Sequence, residues 1–142
     1  MIRPVHIICV LGFAVLLAPP AHSQGKKIAE GEKLFHRNCA ACHGKEGIGQ
    51  DPQNPAGGWD EDGKRIAPSL NSEGHGWHHS PEMLFSYIKD GSIDETSPMP
   101  SFREILGDVE IEAIVLYVES LWSDEIRKKH KERFGDHPHI FQ

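Results

Sequence analysis

The feature that most constrains the fold is a stretch of 37 residues, 44–80, with neither helical nor strand periodicity. It is rich in Gly, Pro, Asp, Asn and Ser. Loops beyond about 15 residues are uncommon in compact domains and are usually functional or disordered. Four large apolar side chains within it favour a loop that wraps around a bulky apolar ligand: Trp59, Ile66, Leu70 and Trp77.

The N-terminal residues have the pattern of a secretory signal peptide. Arg3 precedes an apolar run of 12 residues, 7–18, which is shorter than the roughly 20 that a membrane-spanning helix needs. We therefore expect a signal peptide over 1–23, cleaved between Ser23 and Gln24, and a periplasmic or otherwise exported protein. The mature chain has 119 residues and a net charge of −7 with neutral histidines, which excludes an electrostatic nucleic-acid binder.

Three segments of the mature chain are predicted to be helices, namely 26–38, 80–91 (including the cap and the terminating glycine) and 107–122. In the last of them, apolar residues repeat at spacings of three and four. Gly31 lies in the middle of the first, where glycine costs about 1 kcal/mol relative to alanine. A packing reason, such as a close helix crossing, is therefore expected at Gly31.

The motif Cys39-Ala40-Ala41-Cys42-His43 carries the clearest chemical signal, and it has three interpretations: haem attachment, thiol redox chemistry and a zinc site. Two thiols one helical turn apart can bond the two vinyl groups of a haem, and the next histidine can reach the iron. Thiol-disulfide catalysis favours a cysteine pair at a helix start after a buried strand, and no strand is predicted here. Structural zinc typically needs four ligands, and the chain has no second cysteine pair. Haem attachment is favoured, with the other two as alternatives.

Met99 is the candidate for a second axial ligand of the haem iron. It lies between Pro98 and Pro100, 56 residues after His43. Histidine with methionine raises the haem potential and suits electron transfer. The alternative is a loop methionine that fills a packing gap. We expect Met83, the other mature methionine, to belong to the core.

With these residues, the chain resembles the class I c-type cytochromes, specifically the small exported bacterial single-haem proteins, over residues 26–122. The resemblance lies in the cysteine-histidine motif, the segments 67–70 and 99–102, and the apolar helix 111–122. It implies an all-α cytochrome c fold, with three or more helices and long loops around one haem c bound through two thioethers. The implied cofactor-binding residues are Cys39, Cys42, His43 and Met99, of which His43 and Met99 ligate iron.

The resemblance also has implications for packing and for the haem surroundings. The first and last predicted helices should cross near Gly31, with Gly31 and Phe35 against Tyr117. The carbonyl of Pro68 should accept the Nδ1 proton of His43 and so fix the ring. Arg65, Trp59 and Trp77 are candidates for haem-propionate or haem-edge contacts.

These features predict an electron carrier and not an enzyme, with a cytochrome c domain over 24–123. The charged C-terminal extension 124–142 has five bases and three acids in 124–133, opposite in sign to the acidic body, and could dock redox partner proteins or a membrane surface. The alternatives are a haem subunit of a larger oxidase or dehydrogenase complex, and a haem sensor or enzyme with a labile sixth ligand. A last alternative is metal delivery through three clustered histidines: His75, His78 and His79.

Overall fold

The computed structural model describes residues 21–92, 94 and 96–135. Residues 1–20, most of the predicted signal peptide, and residues 136–142 of the extension lie outside the described residues. The described part is mostly helical, as expected, and its helices are α1 (Ala21–Asn38), α2 (Ala40–His43), α3 (Pro81–Asp90), α4 (Asp108–Ser120) and α5 (Asp124–Phe134). None of the described helices is both long and apolar enough to cross a membrane.

The crossing of α1 and α4 forms the centre of the domain. A Cβ added to Gly31 would lie 1.9 Å from the carbonyl oxygen of Ala113, so the two backbones touch where the first helix has no side chain. The rings of Phe35 and Tyr117 pack beside this point, with centroids 5.2 Å apart. The expected close crossing at Gly31 is therefore confirmed. α1 begins at Ala21, five residues before the predicted start of this helix.

α3 begins and ends where its local sequence signals predict. The Ser80 hydroxyl accepts a hydrogen bond from the backbone N–H of Met83, and Pro81 occupies the first helical position. Gly91 ends the helix with a φ of 79°, a conformation that glycine adopts without a steric penalty. One face of α3 is buried against the core, which consists of Leu34, Phe35, Leu84, Phe85, Ile88, Leu106, Ile111, Ala113, Ile114, Val115, Tyr117, Val118 and Trp122.

The long loop between α2 and α3 contains short regular pieces that its sequence does not predict. Two 3-10 turns, Lys45–Gly47 and Gly76–His78, lie near its ends. Between them, the strands β1 (Gly58–Trp59) and β2 (Arg65–Ile66) pair antiparallel. Of the four apolar side chains expected to wrap a ligand, Leu70 and Trp77 pack against the core, Ile66 is half-buried and Trp59 is 54% exposed.

α5, the first part of the charged extension, packs on the domain. His130 is 5% exposed and lies between Trp122 and Phe134, with ring centroids 4.8 Å from each. Its Nε2–H donates to the backbone carbonyl of His79 at 2.9 Å. Ile126 also packs against the core. A narrow apolar stripe thus holds a helix whose other side is charged.

Candidate functional site

The cysteine pair lies on α2, a single turn that continues directly from α1. The Cys39 N–H donates to the Phe35 carbonyl at 2.8 Å, and the His43 N–H donates to the Cys39 carbonyl at 2.9 Å. Both thiols are free; Cys39 is half-buried against the core and Cys42 is exposed. Burial, with a smaller contribution from Cys42, raises the pKa of Cys39 to about 11. A protonated thiol is a poor nucleophile, which counts against the thiol redox alternative.

His43 is buried, and its ring has a fixed orientation. Its Nδ1 lies 2.9 Å from the carbonyl oxygen of Pro68. Because a carbonyl only accepts, Nδ1 must carry the proton, and the neutral ring keeps a free lone pair on Nε2. Burial lowers the pKa of His43, and the hydrogen bond to Pro68 partly offsets this. The expected contact with Pro68 is confirmed.

The Pro68 carbonyl is positioned by a tight approach between two parts of the long loop. A Cβ added to Gly49 would lie 2.8 Å from the backbone nitrogen of Ser69, so only glycine fits without a shift. The buried Ser69 hydroxyl donates to the Gly47 carbonyl at 2.9 Å, and the Leu70 N–H donates to the same oxygen at 2.7 Å. The loop glycines therefore serve to bring Pro68 to His43.

Met99 lies half-buried against the same hydrophobic core that Cys39 contacts. Its carbonyl accepts a hydrogen bond from the Ser92 N–H at 3.3 Å, and a Cβ on Gly91 would lie 3.1 Å from that carbonyl oxygen. The Ser101 hydroxyl donates to the Lys89 carbonyl at 2.7 Å. The segment around Met99 is thereby attached to the end of α3.

The donor groups present fit a covalently bound haem better than a zinc ion. The chain presents two free thiols one turn apart, a neutral imidazole with Nε2 available and a half-buried thioether. Within the described ranges, no three or more His, Cys, Asp and Glu side chains are arranged to hold a metal ion. The structure therefore gives no support to the zinc alternative or to a metal site of three clustered histidines.

Two of the candidate haem-edge residues lie together on the β-ribbon. The Arg65 guanidinium lies 4.7 Å from the centroid of the Trp59 ring, and its Nε pairs with Asp94 at 2.9 Å. This ion pair links the ribbon to the segment that precedes Met99. Sequence reasoning missed Asp94, because nothing in its local sequence indicates the distant partner.

Trp77 lies apart from that pair in sequence, on the second 3-10 turn. Its indole N–H donates to the Gly74 carbonyl at 2.9 Å, and its ring stacks on His78 with centroids 3.7 Å apart.

The prediction that Met83 belongs to the core is wrong. The residue is 47% exposed, while Leu84 and Ile88 on the adjacent side of α3 are buried. Its sulfur lies 3.0 Å from Nδ1 of His79.

Glu119 on α4 is a further titratable residue that the sequence did not single out. Among the described residues, its Oε1 is buried without a hydrogen-bond partner. Burial, assisted by the charge of Glu82, raises the pKa of Glu119 to about 7.

Comparison with known proteins gives consistent results. The family model described as "Cytochrome C oxidase, cbb3-type, subunit III" matches residues 26–118. The Cbb3-type cytochrome c oxidase subunit FixP of Bradyrhizobium sp. (strain ORS 278) is 30% identical over 120 residues, which are 84% of this chain and 36% of that protein.

Among solved structures, a chain of the Kuenenia stuttgartiensis reducing HAO-like protein complex superimposes with a TM-score of 0.51 at 28% identity. The match covers 78% of this chain and 48% of that one. Cytochrome CL from the marine methylotrophic bacterium Methylophaga aminisulfidivorans gives a TM-score of 0.48 at 23% identity, over 82% and 72% of the two chains. The chain spans less than half the length of both FixP and the Kuenenia protein.

Proposed function

The chain belongs to the cytochrome c oxidase, cbb3-type, subunit III family, and on that premise we propose that it transfers single electrons through one covalently bound haem c. The family match confirms the resemblance to c-type cytochromes. The observation that carries the proposal is the hydrogen bond from His43 Nδ1–H to the Pro68 carbonyl, because it leaves the lone pair of Nε2 available to ligate a metal. A single Cys-x-x-Cys-His motif in the sequence supports one haem.

Each site residue has a defined task in this proposal. Cys39 and Cys42 would hold the haem through two thioether bonds, and His43 and Met99 would ligate its iron. Haem supplies a one-electron couple at its iron, and the protein sets the potential through ligand identity, hydrogen bonding and burial. The Pro68 carbonyl polarises the imidazole of His43 and raises its basicity as a ligand. In this proposal no bond of a substrate is made or broken. The four site residues would only position the haem and shield it from solvent.

Compartment and partners follow from the predicted signal peptide and from the relatives. We place the working domain outside the cytoplasm, because the N-terminal residues have the pattern of a secretory signal peptide. Cleavage between Ser23 and Gln24 would release the mature chain. Two of the proteins to which the chain is similar are a subunit of an oxidase and a chain of a protein complex. Docking to a larger redox complex is therefore the second candidate role, and co-purification from native membranes and periplasm tests it.

The axial ligand is tested by replacing Met99 with alanine in the haem-loaded protein. The variant should keep covalent haem, lose the sulfur-to-iron charge-transfer band of the oxidised form, and have a lower reduction potential because a ligand that favours ferrous iron is gone. Pro98 and Pro100 restrict the backbone, so the loop should supply no substitute ligand, and the ferrous variant should bind carbon monoxide.

Met83→Ala is the matched control, because Met83 is the other methionine of the mature chain and its side chain is exposed. It should leave the charge-transfer band and the potential unchanged. If the band survives in Met99→Ala and disappears in Met83→Ala, the assignment is reversed. If the wild-type protein lacks the band and binds carbon monoxide, the sixth position is open or labile, and the sensor or enzyme alternative replaces simple electron transfer.

A further inference from the structure

A second group of donor atoms lies at the start of α3, apart from the residues assigned to haem. Nδ1 of His79 and Sδ of Met83 are 3.0 Å apart. The ring of His75 packs against that of His79, with centroids 5.6 Å apart and planes at 72°. We call these three side chains the His-Met cluster.

The backbone around the His-Met cluster is held by several hydrogen bonds. The His79 N–H donates to the Gly76 carbonyl at 3.1 Å, which closes the 3-10 turn. The Ser80 hydroxyl accepts from the Met83 N–H at 3.3 Å and so starts α3. His130 on α5 donates to the His79 carbonyl. Three separate elements thus fix the two residues whose donor atoms are closest.

The third clustered histidine, His78, is directed elsewhere. Its ring stacks on Trp77 at a centroid distance of 3.7 Å and an interplanar angle of 27°. The donor set of the cluster is therefore two imidazoles and one thioether, without His78.

This donor set selects a particular class of ion. Imidazole and thioether are soft or borderline ligands that suit Cu(I), whereas zinc sites use cysteine, histidine and carboxylate but not thioether. Without an ion, the short separation between His79 and Met83 requires a proton on Nδ1, since two facing lone pairs repel. A cation bound to both atoms removes that requirement.

The His-Met cluster is accessible from solvent. His75 is exposed and Met83 is 47% exposed, so an ion can reach the cluster from solvent.

We propose that His75, His79 and Met83 form a Cu(I)-binding site at the surface of the domain. His79 contributes Nδ1, Met83 contributes its sulfur and His75 closes the site from the preceding turn. The site binds an ion and does not depend on the proposed ligation of the haem iron, so failure of one assignment leaves the other standing.

The test uses the haem-loaded mature protein, in which both cysteine sulfurs are already bound to haem. Under anaerobic reducing conditions the protein competes with bicinchoninate for Cu(I), and copper per chain is measured after desalting. The wild type should hold one Cu(I). Met83→Leu keeps the side-chain volume and removes the sulfur, so it should weaken binding at least tenfold, and His79→Ala should do the same. His78→Ala, the matched control, should bind as the wild type does.

X-ray absorption at the copper edge provides a readout that a structural effect would not imitate. It should show one sulfur and two nitrogen neighbours in the wild type, and no sulfur in Met83→Leu. An unchanged haem spectrum in each variant confirms that the fold is intact. The proposal is overturned if the wild type retains no Cu(I), if Met83→Leu binds as tightly as the wild type, or if His78→Ala loses the ion as His79→Ala does.

Discussion

Replacing Gly31 with alanine should destabilise the domain, because α1 and α4 leave no space for a side chain at their crossing. The added Cβ would lie 1.9 Å from the Ala113 carbonyl oxygen and 2.5 Å from its carbon. Ordinary van der Waals contact begins at 3.4 Å, so the helices would have to separate by about 1.5 Å. Such a shift would also disturb the packing of Phe35 on Tyr117.

The size of the effect follows from two opposing contributions. Alanine is the better helix former by about 1 kcal/mol. Overpacking costs about 1 to 3 kcal/mol and occasionally more, and the atoms that must move here belong to backbone. We therefore expect a net loss of about 2 kcal/mol in the free energy of unfolding, which corresponds to a fall in Tm of about 8 °C.

The assay is guanidinium unfolding of the haem-loaded protein, followed by far-UV circular dichroism and by haem absorbance. Gly25→Ala is the matched control, because it lies on the same helix and nothing is within 4 Å of its added Cβ. That variant should be about as stable as the wild type, because after the expected cleavage Gly25 is the second residue of the mature chain, where a helix end contributes little to stability. A Gly31→Ala midpoint equal to that of Gly25→Ala, with an unchanged m-value, would refute the reasoning.

Three further variants have defined expected outcomes. The pKa of Glu119 is raised from 4.5 to about 7, so the folded chain holds a proton that the unfolded chain releases between these values. Stability should fall by up to about 3 kcal/mol as the pH rises through that window, and Glu119→Gln should flatten the fall in urea titrations at stepped pH. His130→Ala should lower the free energy of unfolding by about 2 kcal/mol through lost packing and a lost hydrogen bond, without changing the haem spectrum. Replacing both Cys39 and Cys42 by alanine should give a largely unfolded or degraded chain, and a cooperative melt of the haem-free variant would contradict this.

The parts of the fold that the sequence predicted well are those specified by neighbouring residues. Ser80 and Gly91 mark the ends of α3 through a cap and a left-handed termination, and both act within one helical turn. Gly31 predicted a crossing because its cost within a helix demands a packing reason. The prediction that Gly31 and Phe35 pack against Tyr117 on α4 depended on the resemblance to a family, because nothing in the residues near Gly31 identifies that partner.

The docking of α5 was not predicted, although a signal for it exists. Ile126, His130 and Phe134 recur every four residues and form a stripe: Ile126 packs against the core, and His130 packs between Trp122 and Phe134. The high charge of the segment obscured this stripe, and His130 was not counted as a core residue. The burial of His130 depends on its hydrogen bond to the His79 carbonyl, which lies in a loop 51 residues earlier in the chain.

The site shows the same division between local and distant determinants. The cysteine-histidine motif is local and could be interpreted from its spacing. Met83 was assigned to the wrong side of α3. Met83 and Leu84 are both apolar neighbours on this helix, and the sequence pattern alone does not show which of the two faces the core. The ion pair of Arg65 with Asp94 depends on how the β-ribbon folds back, and no pattern within either segment reveals it.

The crossing of α1 and α4 also determines the order in which the domain can close. Gly31 and Ala113 are 82 residues apart, so the core cannot form until a late part of the chain folds back onto an early one. Until then α1 has no partner for its buried face, and Cys39 has no finished core to pack against. The distance in sequence between the two helices therefore leaves the cysteine pair openly accessible until α4 packs against α1.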